Sequence, residues 1–458
     1  MHNALSTQCL LYHPCVFPSN DPPRPGFSGW RIVGAAAGLQ FLVSSLMLHS
    51  FGAYVAVLRD TEGWSKTALS GVAAMQQIEA ALLGPLQGWI ADRYGSRGMV
   101  RAGVVSFSVG LMLLGTATSL PMFYAIFLLV ALGMGLSGFF SLSIVVVNWF
   151  ERLRSRALSI LMLGMVFGGF AAPAVAWSLQ TFGWRRTALV SGLIALLVGW
   201  PLAGLLHRRP EDLGQRVDGL DPAAGPSQQS SNSASVSATA TAAATPSHED
   251  AAPSMPTSRD ATVREALRSR TFWLLGLGHA SALLVVATVN VHAVTHIKEG
   301  LGYSLTQAAS MLTVQAFAYA AGVFVSGVLG DRWNKAHVSA GCLLLHALGL
   351  LLLAWGVSWS AVISAGVAHG FAWGLRGPLM SALRADHFGR RAIGSILGLS
   401  MLIVLLGQVG GPMIAGLLAD MTGNYRMGFT ILAAMAGAGS CFFLMVPRTP
   451  AMARATAS

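Results

Sequence analysis

Apolar residues run along this chain in twelve long stretches, six on each side of a polar interval. The first six fall at roughly 30–57, 67–90, 98–117, 121–149, 156–180 and 186–206. The second six fall at roughly 271–296, 304–330, 337–357, 360–384, 392–419 and 427–446. Most exceed the ~20 residues a helix needs to cross ~30 Å of hydrocarbon. The runs are continuously apolar rather than alternating, which favours helices over a β-barrel. Their many glycines and alanines allow close helix packing where apolar attraction between helices is weak. The pattern predicts an all-α polytopic membrane protein with twelve transmembrane helices in two six-helix bundles.

The polar intervals divide the chain. Residues 1–28 are polar and proline-bearing, without the apolar core of a cleavable signal, and read as a disordered cytoplasmic tail. A first bundle at 29–207 precedes a linker at 208–268. Its centre, about 216–260, is Ser/Ala/Thr/Pro-rich and cannot bury enough apolar area to offset chain ordering, so it is expected to be largely disordered. The second bundle occupies 269–447, and 448–458 form a cytoplasmic C-terminal tail.

Composition agrees. Only 10% of residues are charged and mean hydropathy is +0.60, against roughly 25% charged in a soluble protein. The net charge of +11 forms no continuous basic stripe, so no nucleic-acid partner is expected. Four cysteines (Cys9, Cys15, Cys342, Cys441) have no metal-ligand spacing. Nor is there a phosphate-binding loop or nucleophile elbow, which argues against an enzyme or an ATP-driven pump. No cofactor or metal is expected.

The two halves repeat each other. GWIADRYGSR, starting at Gly88, is echoed by GVLGDRWNK, starting at Gly327, and Asp92 and Asp331 stand 239 residues apart. At the same offset Gly63-Trp64-Ser65 meets Gly302-Tyr303-Ser304, and Gln76 meets Gln315. A duplicated half of this size in an apolar chain is the architecture of a secondary transporter. Basic residues set the orientation. With both termini cytoplasmic, the outside loops hold only Arg59, Lys66, Arg185, Arg186, Lys298 and Arg426, and all other Lys and Arg except Arg376 lie inside.

Charges within spans point to a site, because one at the bilayer centre costs at least ~2.5 kcal/mol. Arg376 lies in the tenth span, opposite Ser137 of the first half. It could bind a carboxylate through its bidentate fork, or be structural, bonded to helix-end carbonyls or to Asp386. Glu79 is about midway along the second span. A carboxyl there is either neutral or paired, and one that alternates is a natural proton carrier, so Glu79 is the candidate coupling site. The alternative is a neutral Glu bonded between helices. Among six histidines in spans, most are expected to be packed and hydrogen-bonded. His292 with nearby Asn290 is the stronger binding candidate, and His49, on the first span with Gln40 and Tyr54, is a weaker one. Gln315 is a packing amide or a substrate donor. His292 and His296 have metal-ligand spacing but no third ligand.

GWIADRYGSR resembles the signature that the major facilitator superfamily carries between its second and third helices, with Gly88, Asp92, Arg93, Gly95 and Arg97 in the matching places. Gly63-Trp64-Ser65, NWFERLRSRAL from Asn148, RRPEDLG from Arg208 and FGRRAIGSI from Phe388 resemble bacterial monocarboxylate-transporter-like and oxalate/formate-antiporter-like members. VNVHAVTHI is similar to that group's seventh-helix pattern. The resemblance implies that helices one, four, seven and ten line a central cavity. It implies that Asp92 gates the cytoplasmic side, with Asp331 and Arg332 as a second gate. That copy lacks the later glycine, Asn334 and Lys335 following Trp333, so a less tightly held second gate is expected. The function implied is alternating-access transport of a small organic anion, a monocarboxylate first, with protons as a possible partner, by a monomer in the inner membrane. The alternatives are export of a hydrophobic or drug-like compound and a transport-inactive sensor.

Overall fold

The computed structural model describes residues 26–64, 66–219 and 260–447. The expected N-terminal tail to residue 25, linker residues 220–259 and the C-terminal tail lie outside the described residues. All regular structure among the described residues is helical.

In the first half, α1 (Gly29–Val43) passes through a π-helical turn (Ser44–Leu48) into α2 (Phe51–Glu62), so the first expected span is broken at its outer third. Next come α3 (Lys66–Tyr94) and α4 (Ser96–Leu114). The fourth span divides at Gly138 into α5 (Leu120–Ser137) and α6 (Phe139–Trp149), followed by α7 (Arg154–Phe182) and α8 (Trp184–Leu205). The second half opens with the short α9 (Val263–Arg268) and continues with α10 (Arg270–Thr295) and a π-helical turn (His296–Gly300). It then runs through α11 (Leu305–Leu329), α12 (Lys335–Trp355), α13 (Trp359–Phe388), α14 (Ile393–Thr422) and α15 (Arg426–Leu444).

Local chemistry explains several boundaries. Ser304 and Gln307 form a capping box at the start of α11, and Ser358 caps α13 by accepting from Ala361 N. Gly63 ends α2 with φ +67°, which a side chain would resist. Ten helical stretches among the described residues are long and apolar enough to cross a membrane. The other two expected spans, α3 and α13, are long enough at 29 and 30 residues. Their polarity sets them apart: α3 carries Glu79, Asp92 and Arg93, and α13 carries His369, Arg376, Arg384 and Asp386. The most polar helices are thus the ones that hold the candidate chemistry.

Each half has its own core. Leu39, Val104, Val146, Trp149 and Leu161 pack in the first, and Val285, Leu350, Val362, Phe429 and Leu432 in the second. Outward, Leu82, Leu197, Leu406 and Met421 are 70–73% exposed. In a twelve-helix bundle such a belt suits lipid rather than water.

The linker's two described ends are fastened. After α8, Trp149 Nε1 donates to the His207 carbonyl, and Asp218 Oδ2 accepts from Glu151 N (3.1 Å) and Arg152 N (2.8 Å). On the far side, Asp260 Oδ1 accepts from Arg390 N at 2.9 Å. Glu151 and Arg390 are again 239 residues apart, so both linker ends bind the equivalent loop of their own half.

Candidate functional site

At the end of the bundle where residues 26 and 447 emerge, the two halves exchange carboxylates. Asp92, at the end of α3, accepts from Gly394 N (2.9 Å) and Ser395 N (2.7 Å), the first residues of α14 in the other half. Asp331, just after α11, accepts from Ser155 N (2.6 Å) and Arg156 N (3.1 Å) in the first turn of α7. The offset that relates the two aspartates also relates the two pairs of amides, so each half caps the same helix of its partner. Free amides and the dipole at a helix N-terminus favour a carboxylate there. Burial holds both carboxyls above their ordinary range, and the amide bonds pull the other way.

Close backbone approach makes these caps reachable. A Cβ on Gly88 would stand 2.1 Å from the Gly394 carbonyl oxygen, and one on Gly330 2.9 Å from Leu379 and 3.0 Å from Ser155. The remaining signature residues brace the loop within the first half. Gly95 takes φ +89°, Arg97 Nη2 donates to the Gly204 carbonyl at 2.7 Å, and Arg208 bonds the Asp92 carbonyl. Arg93 lies exposed against Trp89 and Tyr94, and Arg332 is exposed.

The expected weakness of the second gate is not borne by its geometry. Where the first loop uses Gly95, the second uses Asn334, whose Oδ1 accepts from Ala336 N and His337 N to start α12. The departing Lys335 gains a role of its own. Its Nζ meets Asp386 Oδ2 at 2.8 Å, and Asp386 Oδ1 bonds Arg154 of the first half. Burial pushes the Asp386 carboxyl up, but Lys335 and Arg154 outweigh it and hold it below the usual carboxylate range. This inter-half bridge was not anticipated from sequence, because its three members are distant in the chain.

Farther in, α13 presents a buried cationic cluster. Arg376 is 1% exposed, and its Nε and Nη1 have no hydrogen-bond partner among the described residues. The structural alternative fails at Asp386, which is engaged by Arg154 and Lys335 instead. Eight residues on, Arg384 is also buried; Nη1 donates to the Met380 carbonyl and Nη2 to His279 Nδ1 on α10, at 3.1 Å each. His346 of α12 and His369 of α13 meet Nδ1 to Nδ1 at 3.0 Å. Tyr319 of α11 packs on Trp373 with ring centroids 4.9 Å apart, and its hydroxyl has no partner among the described residues. Sequence reading missed Arg384, because an arginine near a span's inner end is by default a snorkelling one. Its spacing from Arg376, two helical turns on one face, was the available signal.

The other candidates disperse. His292 Nε2 bonds the Pro412 carbonyl on α14 (3.0 Å) and its ring lies against Tyr425, while His296 Nε2 bonds the Leu353 carbonyl (2.7 Å). The two rings share Tyr425 but bond different carbonyls. Gln315 Nε2 donates to Asn290 Oδ1 at 3.3 Å, joining α11 to α10, and its own Oε1 is buried without a partner among the described residues. His49 is exposed at the break between the π-turn and α2, beside Gly169 of α7. Glu79 is half-buried in α3, with Oε2 unpartnered among the described residues. Ser137, opposite Arg376 in the repeat, bonds its own helix at Gly133.

A family profile described as Major Facilitator Superfamily matches residues 32–296 and 275–458. Monocarboxylate transporter 13 of Bos taurus is 27% identical over 440 residues, covering 93% of this chain and 91% of that protein. Human monocarboxylate transporter 2 is 23% identical over 449 residues, covering 93% and 87%. Among solved structures, the human organic anion transporter MFSD10 (TETRAN) superposes with a TM-score of 0.66 at 16% identity, covering 92% and 100%. The transporter FucP in its outward conformation gives 0.67 at 15% identity, covering 92% and 100%.

Proposed function

From the premise that this chain belongs to the Major Facilitator Superfamily, as a multi-pass, monocarboxylate-transporter-like secondary transporter rather than an enzyme, we propose that it carries a small organic anion, a monocarboxylate first, by alternating access. The observation that carries this reading is Arg376. A fully buried guanidinium with two unpartnered nitrogens and no paired carboxylate among the described residues is costly, since removing one partner of a buried ion pair typically costs 3–5 kcal/mol. An incoming carboxylate would relieve that cost through a bidentate pair. Arg384 adds a second positive charge behind it. The names of the relatives, monocarboxylate and organic anion transporters, agree with this sign of charge.

The basic-residue bias makes the end bearing Asp92 and Asp331 the cytoplasmic one. The reciprocal caps and the Arg154–Asp386–Lys335 bridge then hold the cytoplasmic side shut, and the resting state faces outward. Arrival of the anion must favour a rearrangement that releases these contacts.

Uptake of radiolabelled acetate, lactate, pyruvate and benzoate into proteoliposomes tests the reading, with Arg376→Ala and Arg376→Lys alongside. Uptake should fall at least ~100-fold in Arg376→Ala and be partly kept in Arg376→Lys, whose point charge lacks the fork. Carboxylate uptake undiminished in Arg376→Ala would sink the proposal.

A further inference from the structure

The His346–His369 pair has no part in the reading above, yet its geometry is unusual. Two neutral imidazoles that share a hydrogen bond through both Nδ1 atoms cannot be the same tautomer: one must carry Nδ1–H and the other must present a bare Nδ1. The donor ring then has a bare Nε2 and the acceptor ring an Nε2–H. Both Nε2 atoms are buried without a partner among the described residues, and the residues are 0% and 1% exposed. A structural pair would be expected to satisfy those atoms, because an unpaired buried polar atom costs about 1–3 kcal/mol. An opening left at each end of a two-ring chain is what a proton acceptor needs.

The charges around the pair are one-sided. Arg376 lies within electrostatic reach of both rings. Arg376 in turn lies within electrostatic reach of Arg384 on α13, His279 on α10, Tyr319 on α11 and Cys342 on α12. No carboxylate among the described residues is paired with either arginine. With Arg376 uncompensated, its positive field opposes a second positive charge on the rings. A carboxylate bound to Arg376 cancels that field.

We propose that His346 and His369 form the proton-binding site of this transporter, loaded only when an anion occupies Arg376. This rests on the anion reading above and assigns its proton partner to the second half, next to the substrate, rather than to Glu79. The bare Nε2 takes the proton, and the charge is shared across the Nδ1–H···Nδ1 bond. The proton then leaves from either Nε2. Leaving from the far ring exchanges the two tautomers, while no atom other than the proton is transferred. Because coupling between two bound ligands is reciprocal, the proton tightens anion binding by the factor with which the anion tightens proton binding. The pair thus supplies symport without a carboxylate at the site.

Two measurements on the full chain test this. In lipid nanodiscs, 15N-histidine NMR of the substrate-free protein, assigned with His369→Gln and His346→Gln, should show one ring protonated at Nδ1 and the other at Nε2. Two rings both protonated at Nε2 overturn the pair without reference to any substrate. In proteoliposomes, an acid-outside gradient should raise net pyruvate uptake at least ~10-fold in wild type and in Glu79→Gln. It should raise it less than ~2-fold in His369→Gln. Loss of the response in Glu79→Gln with retention in His369→Gln overturns the assignment. If wild type exchanges none of the four acids, the anion reading falls, and the tautomer result alone decides the pair.

Discussion

The proposed gate predicts that two glycines one helical turn apart will tolerate alanine very differently. A Cβ at Gly84 meets only the Gly398 oxygen at 3.7 Å and Met401 Cβ at 3.9 Å, ordinary contacts. A Cβ at Gly88 would lie 2.1 Å from the Gly394 oxygen, 2.5 Å from its carbon and 2.9 Å from Ser395 N, all backbone atoms that no rotamer change can remove. Since C···O contacts sit at roughly 3.3 Å or more, α3 and α14 must part by about 1 Å in Gly88→Ala. The same shift stretches the Asp92 bonds to Gly394 and Ser395, now 2.9 and 2.7 Å, beyond hydrogen-bond range. Hydrogen bonds to charged groups contribute about 1.5–3 kcal/mol each, so partial loss of two amounts to about 2–3 kcal/mol. At 1.4 kcal/mol per tenfold change, the shut state loses population by roughly 30–140-fold. The helix-propensity gain of alanine cancels, because α3 is helical whichever way the gate stands. Ser159, buried against Gly327 in the opposite gate seam, reports opening when replaced by cysteine in a cysteine-free background. An impermeant maleimide applied from the cytoplasmic side should label it at least ~10-fold faster in Gly88→Ala and at the parent rate in Gly84→Ala. Equal rates in the two alanine variants would refute the reasoning.

Three further outcomes follow from the same geometry. Asp331→Asn and Asp92→Asn should raise labelling of that cysteine to within about threefold of each other, since each aspartate makes two amide bonds of similar length; a silent Asp331→Asn would restore the view of a slack second gate. Asp386→Asn leaves Arg154 and Lys335 facing each other and should lower stability by about 3 kcal/mol at neutral pH. Because the folded protein holds the Asp386 carboxyl below its usual range, this stabilisation is present above the ordinary carboxyl value near ~4 and is lost as pH falls through the depressed one. Melting temperatures of wild type and Asp386→Asn should therefore begin to converge only below the ordinary carboxyl value, and a gap that widens on acidification would contradict the bridge. Arg376→Met should be transport-dead yet melt higher than wild type, by about 1–3 kcal/mol, because an apolar side chain replaces an unpaired buried charge; a lower melting temperature would mean that Arg376 is structurally satisfied after all.

The α-helical class, the two halves and the helix positions were legible in the sequence. Spans follow from local apolar length, and the boundaries met expectation within a few residues, as for 98–117 against Ser96–Leu114. The splits of the first span at Ser44–Ser50 and of the fourth at Gly138 were not legible. Nothing in an apolar run announces a π-turn, which forms where neighbours such as the Met165 carbonyl, bonded by Ser44 Oγ at 3.0 Å, offer a partner. The duplication offset located Asp92 and Asp331, but neither the amides they cap nor that each caps the other half.

Sequence alone therefore determined what is local or periodic: the apolar spans, the repeat, the bias of basic residues, and an arginine standing where the other half has a serine. Tertiary structure decided every pairing. It gave Asp386 to Arg154 and Lys335 and so left Arg376 without a paired carboxylate among the described residues, it turned His292 to the Pro412 carbonyl, and it brought His346 and His369 from different helices to within 3.0 Å. The physical reason is that a buried charge or imidazole is defined by its partners, and in a helical bundle those partners come from other helices at sequence distances that no local pattern encodes.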